Sequence, residues 1–435
     1  MFVSVDLGNS LITMMAAERQ ADGTFSIVAI EKEETPLDSI QNGIVRKPSE
    51  IASAISKLLK QMENHLEHKL GKKFEIKNFY TAINGRSLRS IRGTVLRPFT
   101  TATEIGAAEL NALRKELIET LDTDRRVYNI TNEEYLIDGD YVRNPMGIVC
   151  REVRANYLMV LGRTDIRENL DKCIDRITIA DVYSDALAPL AMADAVLTDD
   201  DRINGVVHFN FGAATTTVTV YQDNYLRHLA VVPFGGKHIT NDLSTVLSLT
   251  LNDADLIKRQ KGTPIVDKAK GRQLSLHVKP GAEPRKIQFE EVAKVIEARL
   301  AEIVGLCMKE VERSGFAAQI KNGIVVSGAT TRMADFNDFI AAETDMEVRT
   351  ASLDHIVSGG FPDVNIEYPL LVGLIANATE VSVVEKVQEQ EVDKGDENDK
   401  PIGPKKKDGN KKDSWWARVK QVSLFDGPEG ATIED

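Results

Sequence analysis

The chain has 435 residues, 42 % of them hydrophobic and 28 % charged, which is the composition of a soluble protein with more than one folding unit. Lys and Arg (54) against Asp and Glu (66) give a net charge of −12, which argues against a nucleic-acid binder. The 3 cysteines are scattered, no apolar run reaches the roughly 20 residues of a membrane span, and no signal peptide precedes the first strand-like pattern. We therefore expect a cytoplasmic protein without disulfides.

Two segments share the pattern of a β-hairpin with a turn of small residues. The first runs from Phe2 to Ala16 with its turn at residues 8–10, and the second from Gly205 to Tyr221 with its turn at residues 212–214. A duplicated hairpin predicts two related α/β halves that face one cleft. On this feature alone, two unrelated hairpins are the simpler alternative, because glycine-rich turns are common.

The stretch between the hairpins alternates between helical and strand-like patterns. Residues 79–83 have the pattern of a short strand, and short strands from there to about Gly162 surround one helix, which predicts a small inserted domain. Helical spacing predicts helices over residues 49–70, 108–121, 166–177 and 186–196.

After the second hairpin, the pattern continues as α/β. Residues 229–233 predict a buried strand that runs into Gly235 and Gly236, and residues 323–327 predict another that enters a small-residue turn. Helices are predicted over residues 238–247, 254–260, 289–315 and 336–342.

The C-terminal residues differ from the rest in composition. Residues 385–412 alternate acidic residues and Lys with Gly, Pro and Asn, which predicts an unfolded linker, and residues 413–426 predict an amphipathic helix. We expect this helix to lie on anionic lipid, with docking on its own domain or on a partner groove as the alternative. The four carboxylate side chains of the extension after Phe425 slightly oppose membrane binding. The membrane-binding residues are Trp415, Trp416, Arg418, Val419, Lys420, Val422 and Phe425.

Three turns of small residues follow strand-like segments at residues 8–10, 212–216 and 328–331. Such turns bring backbone N–H groups close to phosphate oxygens. An acidic residue at a strand end, here Asp6, can hold Mg²⁺ through bound waters. No single turn is specific, but the order and spacing of the three turns along the chain indicate a nucleotide cleft.

At this point the chain resembles the bacterial cell division protein family FtsA, an actin-like branch of the superfamily that includes sugar kinases and Hsp70. Residues 6–10 (DLGNS) resemble its first phosphate loop, residues 210–217 (NFGAATTT) its second, and residues 327–329 (SGA) its adenosine motif. The tail with its Trp pair resembles the FtsA membrane-targeting helix. More diagnostic stretches are residues 226–236 (LRHLAVVPFGG), 239–243 (ITNDL), 254–262 (ADLIKRQKG), 83–90 (INGRSLRS) and 144–147 (NPMG).

The resemblance implies an α/β fold of the actin-like two-lobed type, with duplicated α/β domains, an FtsA-type inserted subdomain and a C-terminal amphipathic helix. An MreB-type actin lacks the insert at this place. The implied boundaries are 1–84 and 161–204 for the core of the first lobe, 85–160 for the insert, 205–240 and 305–384 for the core of the second lobe, 241–304 for its smaller subdomain, 385–412 for the linker and 413–426 for the membrane-targeting helix.

The resemblance also implies a site for ATP, with Mg²⁺ held by Asp6 through water. For Glu302 a solvated position on a helix face is an equal alternative, and Gly235 and Gly236 could form only a turn. The implied nucleotide-binding residues are Asp6, Gly8, Asn9, Ser10, Asn210, Gly212, Thr215, Thr216, Gly235, Gly236, Glu302, Gly328 and Ala329.

This chain departs from the family pattern at the residues that carry charge or give the loops room. The losses of carboxylate and glycine predict a weakened nucleotide site with slow or absent hydrolysis, and therefore no enzyme. The departures are Asn210 and Thr217 where Asp is usual, Ala213, Ala214 and Ala329 where Gly is usual, Leu11 where Lys or a similar polar residue is usual, and Ala188 where MreB-type relatives carry Glu.

The function implied by the resemblance is an adaptor that tethers the tubulin-like protein FtsZ to the inner face of the cytoplasmic membrane. It would bind the FtsZ C-terminal tail through residues 241–304, self-associate into actin-like filaments and recruit later division proteins, without nucleic acid as a partner. The alternatives are a degenerate FtsA paralogue without nucleotide control, and an ATP-hydrolysing or phosphotransferring member of the same superfamily.

Overall fold

The computed structural model describes residues 1–121, 124–276, 285–359 and 364–385. They form a mixed α/β protein with two large sheets, one of six strands and one of nine. No helix of these residues combines the length and the apolar character needed to cross a membrane.

The first segment forms the predicted hairpin and its helix. The long helix begins at Pro48 and ends at Gly71, whose left-handed φ of 71° lets its N–H donate to the Glu67 carbonyl. The elements are β1 (Phe2–Leu7), β2 (Leu11–Arg19), β3 (Phe25–Glu34), β4 (Ile40–Gln41), β5 (Ile44–Val45), α1 (Pro48–Leu70), β6 (Phe74–Ile76) and β7 (Asn78–Ile83).

The insert is an antiparallel sheet with one helix on one face. Leu113 and Leu117 of that helix are buried against strand residues such as Tyr157. The elements are β8 (Arg89–Glu104), α2 (Ala107–Glu119), β9 (Arg125–Ile137), β10 (Asp140–Val142) and β11 (Val149–Arg163).

The chain then returns to the first sheet through a helix, a strand and two short helices. The helix predicted over residues 186–196 begins only at Ala188, because residues 186 and 187 complete a strand that pairs with β7. Pro189 lies in its first turn, where a missing N–H has no cost. The elements are α3 (Thr164–Ile174), β12 (Asp181–Leu187), α4 (Ala188–Val196) and α5 (Asp199–Asn204).

The remaining described residues form the second lobe and its return to the first. Two 3₁₀ turns, Ala317–Gln319 and Ala329–Arg332, lie among them. The elements are β13 (Val206–Phe211), β14 (Thr216–Gln222), β15 (Tyr225–Val232), α6 (Gly236–Val246), α7 (Leu251–Lys261), α8 (Val266–Ala269), β16 (Gln273–Leu276), β17 (Arg285–Gln288), α9 (Phe289–Ser314), β18 (Ile324–Ser327), α10 (Phe336–Thr344), β19 (Val348–Thr350), β20 (Val357–Ser358), α11 (Val364–Glu367), α12 (Pro369–Ala376) and β21 (Val383–Glu385).

The two sheets repeat one plan. In the first, the antiparallel strands β1, β2 and β3 continue through β1 into the parallel strands β7 and β12. In the second, β13, β14 and β15 continue through β13 into the parallel strands β18 and β19. This matching order confirms the predicted duplication and is not expected of two unrelated hairpins.

The sheet of the insert continues into the sheet of the second lobe, which the sequence did not predict. Arg89 of β8 pairs with Ala230 of β15. Beside this pair, the Leu229 N–H donates to Ser90 Oγ at 2.8 Å, and Arg92 Nη2 donates to the Ser314 carbonyl at 2.7 Å. The insert is therefore attached to the first lobe by the chain and to the second by hydrogen bonds.

Helices α4 and α12 cross between the lobes in close contact. A Cβ on Gly373 of α12 would lie 2.0 Å from the Ala191 carbonyl oxygen of α4, so only glycine allows this approach. Both helices contribute to one hydrophobic cluster that also contains residues of the first sheet and of β13, such as Val206. The ends of β1 and β13, with their turns, thus lie on either side of the cleft.

Candidate functional site

The turn between β1 and β2, residues 8–10, is the first-lobe part of the site. The Gly8 N–H donates to the Leu11 carbonyl at 3.1 Å, and a Cβ on Gly8 would lie 2.5 Å from that oxygen. Thr35 Oγ1 donates to the Gly8 carbonyl at 2.8 Å. The backbone N–H groups of Asn9 and Ser10 have no partner within the described residues. The turn thus keeps two donors available for an anion.

Asp6 lies at the end of β1, just before this turn. Desolvation raises the pKa of its carboxyl to about 6. It borders a cavity of about 10 Å³, lined also by Thr81, Asn84 and Leu370, which is room for about one water. Because no cation partner offsets the desolvation, this carboxylate would be stabilised by a bound positive ion.

The turn between β13 and β14 has the same backbone geometry in the second lobe. The Gly212 N–H donates to the Thr215 carbonyl at 3.0 Å. The N–H groups of Ala213, Ala214 and Thr215 donate to no group in the described part of the chain. The methyl groups of the two alanines therefore do not prevent the loop from presenting free backbone donors.

Gly235 and Gly236 pack directly against this second turn. The Gly236 N–H donates to the Gly212 carbonyl at 2.9 Å, and the Lys237 N–H donates to the Ala213 carbonyl at 2.7 Å. A Cβ on Gly235 would lie 2.5 Å from the Gly212 oxygen. The first N–H groups of α6 therefore bind the backbone of the second turn. The two glycines allow this close approach because they have no side chain.

The predicted adenosine motif completes the same cluster. Gly328 has φ of 96°, and a Cβ there would lie 2.4 Å from the Phe211 carbonyl oxygen. Thr330 Oγ1 donates to the Gly212 carbonyl at 3.3 Å and would be 2.5 Å from a Cβ on Gly236. Ala329 begins the 3₁₀ turn at this place. The structure therefore brings together the three second-lobe segments that the sequence singled out.

An uncharged network lies beneath the second turn. Asn210 Nδ2 donates to Ser327 Oγ at 2.8 Å, and His208 Nε2 lies 2.8 Å from the same oxygen. Burial lowers the pKa of the His208 imidazole to about 3, with Arg349 adding to the effect, and its Nδ1 has no partner. Thr217, opposite Asn210 on β14, is also buried. No carboxylate occupies position 210 or 217, so this side of the cleft lacks the charge that attracts Mg²⁺.

Two lysines of the site were missed by the sequence reasoning. Lys258, buried on α7, donates to the Gly236 carbonyl at 3.1 Å, to Thr240 Oγ1 at 2.6 Å and to Asp255 Oδ1 at 2.7 Å. Lys237 Nζ donates across the cleft to the Asn9 carbonyl at 2.9 Å. A lysine on the apolar face of α7 is a sequence signal for the first, whereas the second depends on how the lobes face each other.

Glu302 is the predicted site residue that forms no hydrogen bond with the loops. Its carboxylate pairs with Arg299, one turn back on α9, and Arg299 Nε lies 2.5 Å from Asp242 Oδ2 of α6. With 49 % of its side chain exposed, Glu302 belongs to a solvated ion-pair network. The contacts favour the helix-face interpretation.

Metal ligands are sparse in this part of the molecule. Among residues 1–121, 124–276, 285–359 and 364–385, no group of three or more His, Cys, Asp and Glu side chains could hold a metal ion. Asp6 is the one carboxylate among the described residues of the three loops. The predicted linker 385–412, apart from Glu385, and the predicted membrane-binding residues of 413–426 lie outside the described residues.

Two lobes of the same sheet plan, joined by crossing helices and with glycine turns at the cleft, define an actin-like protein. One chain of a solved structure titled "PilM-PilN type IV pilus biogenesis complex" shares this fold, with a TM-score of 0.57 and 13 % sequence identity, over 86 % of this chain and 97 % of that chain.

The sequence comparisons find similarity to one group of proteins. A family model described as "Cell division protein FtsA" matches residues 207–371. The FtsA of Neisseria meningitidis serogroup B is 28 % identical over 83 % of this chain and 86 % of the relative. That of Porphyromonas gingivalis is 25 % identical over 87 % and 78 %. The chain is thus similar in sequence to FtsA cell division proteins over most of its length.

Proposed function

We propose that this protein is a cell division adaptor that tethers FtsZ to the cytoplasmic face of the inner membrane, at the division site. It self-associates through its actin-like body and recruits later division proteins. The observation that carries this proposal is the similarity to FtsA proteins over 83 % of the chain, in both lobes.

The membrane contact is assigned to residues 413–426, with Trp415, Trp416 and Val419 facing lipid. The described chain ends in β21, which pairs with β6 of the first lobe, so the tail leaves the body beside that strand. A coil as long as residues 386–412 spans roughly 30 Å on average. That distance leaves the body free to bind partners while the helix lies on the membrane.

The FtsZ contact is assigned to the smaller subdomain of the second lobe, residues 241–304. Three large apolar side chains on α6 and α7 are exposed there: Val246 at 63 %, Leu251 at 56 % and Leu256 at 52 %. Isolated exposed apolar residues are common, but three on neighbouring helices offer a surface on which an apolar peptide loses contact with water. We assign the FtsZ C-terminal tail to this surface.

The cleft is assigned to ATP, held mainly by backbone donors. The free N–H groups of the two turns suit phosphate oxygens, and one Mg²⁺ would be held by Asp6, through water, together with those oxygens. Hydrolysis is slow or absent in this proposal, because a positioned base for water is missing. At the position of the MreB-type Glu, Ala188 is fully buried against Leu370 and Leu374 of α12.

Liposome co-sedimentation with FtsZ from the same organism tests the adaptor. We compare the full chain, a chain that ends at Lys412, and the full chain with Trp415→Ala and Trp416→Ala. FtsZ is expected to pellet only with the full chain. If the protein pellets without FtsZ, the FtsZ tether is wrong, and if the full chain stays in solution, the membrane role is wrong.

The FtsZ surface is tested by Leu251→Asp with Leu256→Asp, against Leu37→Asp as the matched control. Leu37 is 83 % exposed and lies in the first lobe, so its substitution adds one carboxylate outside the assigned surface, against two on it in the double variant. The double substitution is expected to abolish co-pelleting of FtsZ while the protein itself still pellets. If the unsubstituted protein, the double variant and the control all pellet the same amount of FtsZ, the assignment of the FtsZ tail to this surface is wrong.

A second candidate, a degenerate FtsA paralogue without nucleotide control, is favoured by the uncharged network of His208, Asn210 and Ser327 under the second turn. Titration with a labelled ATP analogue separates the two. Mg²⁺-dependent binding supports the ATP assignment, and no binding with an intact tether supports the paralogue. Steady phosphate release would contradict both.

A further inference from the structure

Lys237 is a residue of the cleft to which the sequence analysis assigns no role. It follows Gly235 and Gly236 in the first turn of α6, in the second lobe, and its ammonium donates to the Asn9 carbonyl in the first lobe at 2.9 Å. It thereby touches the first turn, while its own backbone N–H holds the second turn through the Ala213 carbonyl at 2.7 Å.

The Lys237 ammonium lacks an anionic partner in the part of the chain that the structure describes. It donates to a neutral carbonyl, whereas the neighbouring Lys258 is paired with Asp255 at 2.7 Å. Desolvation lowers the pKa of Lys237, an effect that Asp255 offsets and Lys258 increases. The residue as a whole is exposed, so its ammonium remains accessible to an anion from solvent.

The groups on either side of this ammonium are donors as well. The first turn has free N–H groups at Asn9 and Ser10, and the second at Ala213, Ala214 and Thr215. The first turn contributes no cation of its own, because Leu11, 41 % exposed, occupies the position where the family resemblance implies Lys or a similar polar residue. A cation and backbone donors from both lobes suit an anion with several oxygens, since the carboxylate that acts on Lys237, Asp255, is itself paired with Lys258.

We infer that Lys237 binds the phosphate chain of the nucleotide, supplying from the second lobe the cation that Leu11 does not supply from the first. This inference rests on the proposed nucleotide site. An ammonium has three donors, so Lys237 can keep the Asn9 carbonyl while it donates to a phosphate oxygen. A bound phosphate then contacts the first turn and, through Lys237, the second lobe at once.

Isothermal titration of the full chain with Mg-ADP, Mg-ATP and adenosine tests this role. The variants are Lys237→Met, which removes the charge and keeps the stem, and Lys237→Arg, which keeps the charge. Lys261→Met, at an exposed position at the end of α7, is the control. Lys237→Met is expected to weaken ADP and ATP about 10- to 100-fold and to leave adenosine unchanged. Lys237→Arg should restore most of that affinity, and Lys261→Met should match the unsubstituted protein.

Three results would overturn the inference. Unchanged ADP affinity in Lys237→Met means that the ammonium does not reach phosphate. An equal loss for ADP and adenosine means that Lys237 only holds the lobes together. If the unsubstituted protein binds no nucleotide, the phosphate role fails together with the ATP assignment. The adaptor proposal is unaffected by any of these, because liposome co-sedimentation decides it separately.

Discussion

The turn after β1 and the turn after β13 have the same backbone geometry. In each, a glycine N–H donates to the carbonyl three residues later, Gly8 to Leu11 at 3.1 Å and Gly212 to Thr215 at 3.0 Å. Each turn follows a buried strand and leads into an antiparallel one. The hairpin itself thus determines the shape of both turns.

The two turns differ in the polar residue that precedes them. Asp6 lies opposite Thr13 in the first hairpin, and Asn210 lies opposite Thr217 in the second. Asp6 has a raised pKa because its carboxyl is desolvated, whereas Asn210 is neutral and donates to Ser327 at 2.8 Å. The difference teaches that this turn geometry persists without the charge that a metal needs.

The largest expected effect on stability comes from replacing the glycine of each turn, Gly8 or Gly212, by alanine. In Gly8→Ala the Cβ lies 2.5 Å from the Leu11 oxygen, so the turn must open, and we expect a loss of about 2–4 kcal/mol in the free energy of unfolding. In Gly212→Ala the Cβ lies 3.0 Å from the Thr215 oxygen, and the loss should be about 1 kcal/mol. Urea unfolding measures both, and equal losses would contradict the steric argument.

The next effect is a pH dependence of the second hairpin, opposite in sign to that of the Asp6 carboxyl in the first hairpin, whose raised pKa makes the folded state less stable as pH rises through 6. The pKa of His208 falls from 6.5 to about 3 on folding, so its stabilisation is complete above pH 6.5 and is lost as pH falls toward 3. The corresponding first-hairpin residue is Ser4, whose hydroxyl donates to the Leu371 carbonyl at 3.0 Å and does not titrate. His208→Gln should reduce the difference in unfolding free energy between pH 7.5 and 5 by about 2 kcal/mol.

Urea unfolding of the unsubstituted protein and of His208→Gln at both pH values provides the measurement. Ser4→Ala is the control, because it removes a buried hydroxyl without a titratable group. Its free energy should fall by the same amount at pH 7.5 and pH 5. If His208→Gln also shows the full pH dependence, other groups cause it.

Asn210→Asp makes the second turn resemble the first. The Nδ2 donor to Ser327 is lost and a carboxylate replaces it without a cation, so we expect a loss of about 1–2 kcal/mol at pH 7.5 in metal-free buffer. Mg²⁺ should recover part of that loss, because two carboxylates then face the cleft. Thermal unfolding with EDTA and with Mg²⁺ checks this, and a loss that ignores the metal would show that position 210 does not face a metal site.

The smallest effect concerns the threonine that supports each turn. Thr35 donates to the Gly8 carbonyl at 2.8 Å, and Thr330 donates to the Gly212 carbonyl at 3.3 Å. Thr35→Val should cost about 1 kcal/mol, and Thr330→Val less, because its bond is longer. Chemical unfolding at pH 7.5 measures the loss of stability in each variant. A larger loss for Thr330→Val than for Thr35→Val would contradict the prediction.

The duplicated fold could be predicted because its signals are local. Alternating apolar residues and small-residue turns are visible in residues 2–16 and 205–221, and the Gly71 stop of α1 lies where the periodicity ends. Lys237 could not be predicted, because its partner Asn9 is more than 200 residues away and depends on how the lobes face each other. Likewise, no local pattern brings Arg89 opposite Ala230.

Because Arg89 pairs with Ala230, the insert forms a further connection between the two lobes. A rotation of one lobe away from the other about a distant axis breaks the strand pair, the Ser90 hydrogen bond to Leu229 and the Arg92 hydrogen bond to Ser314, all at one corner. The cleft can open easily only about an axis that passes through this corner. A displacement of the insert is therefore passed to β15 and to its neighbour β14, which begins at the second turn.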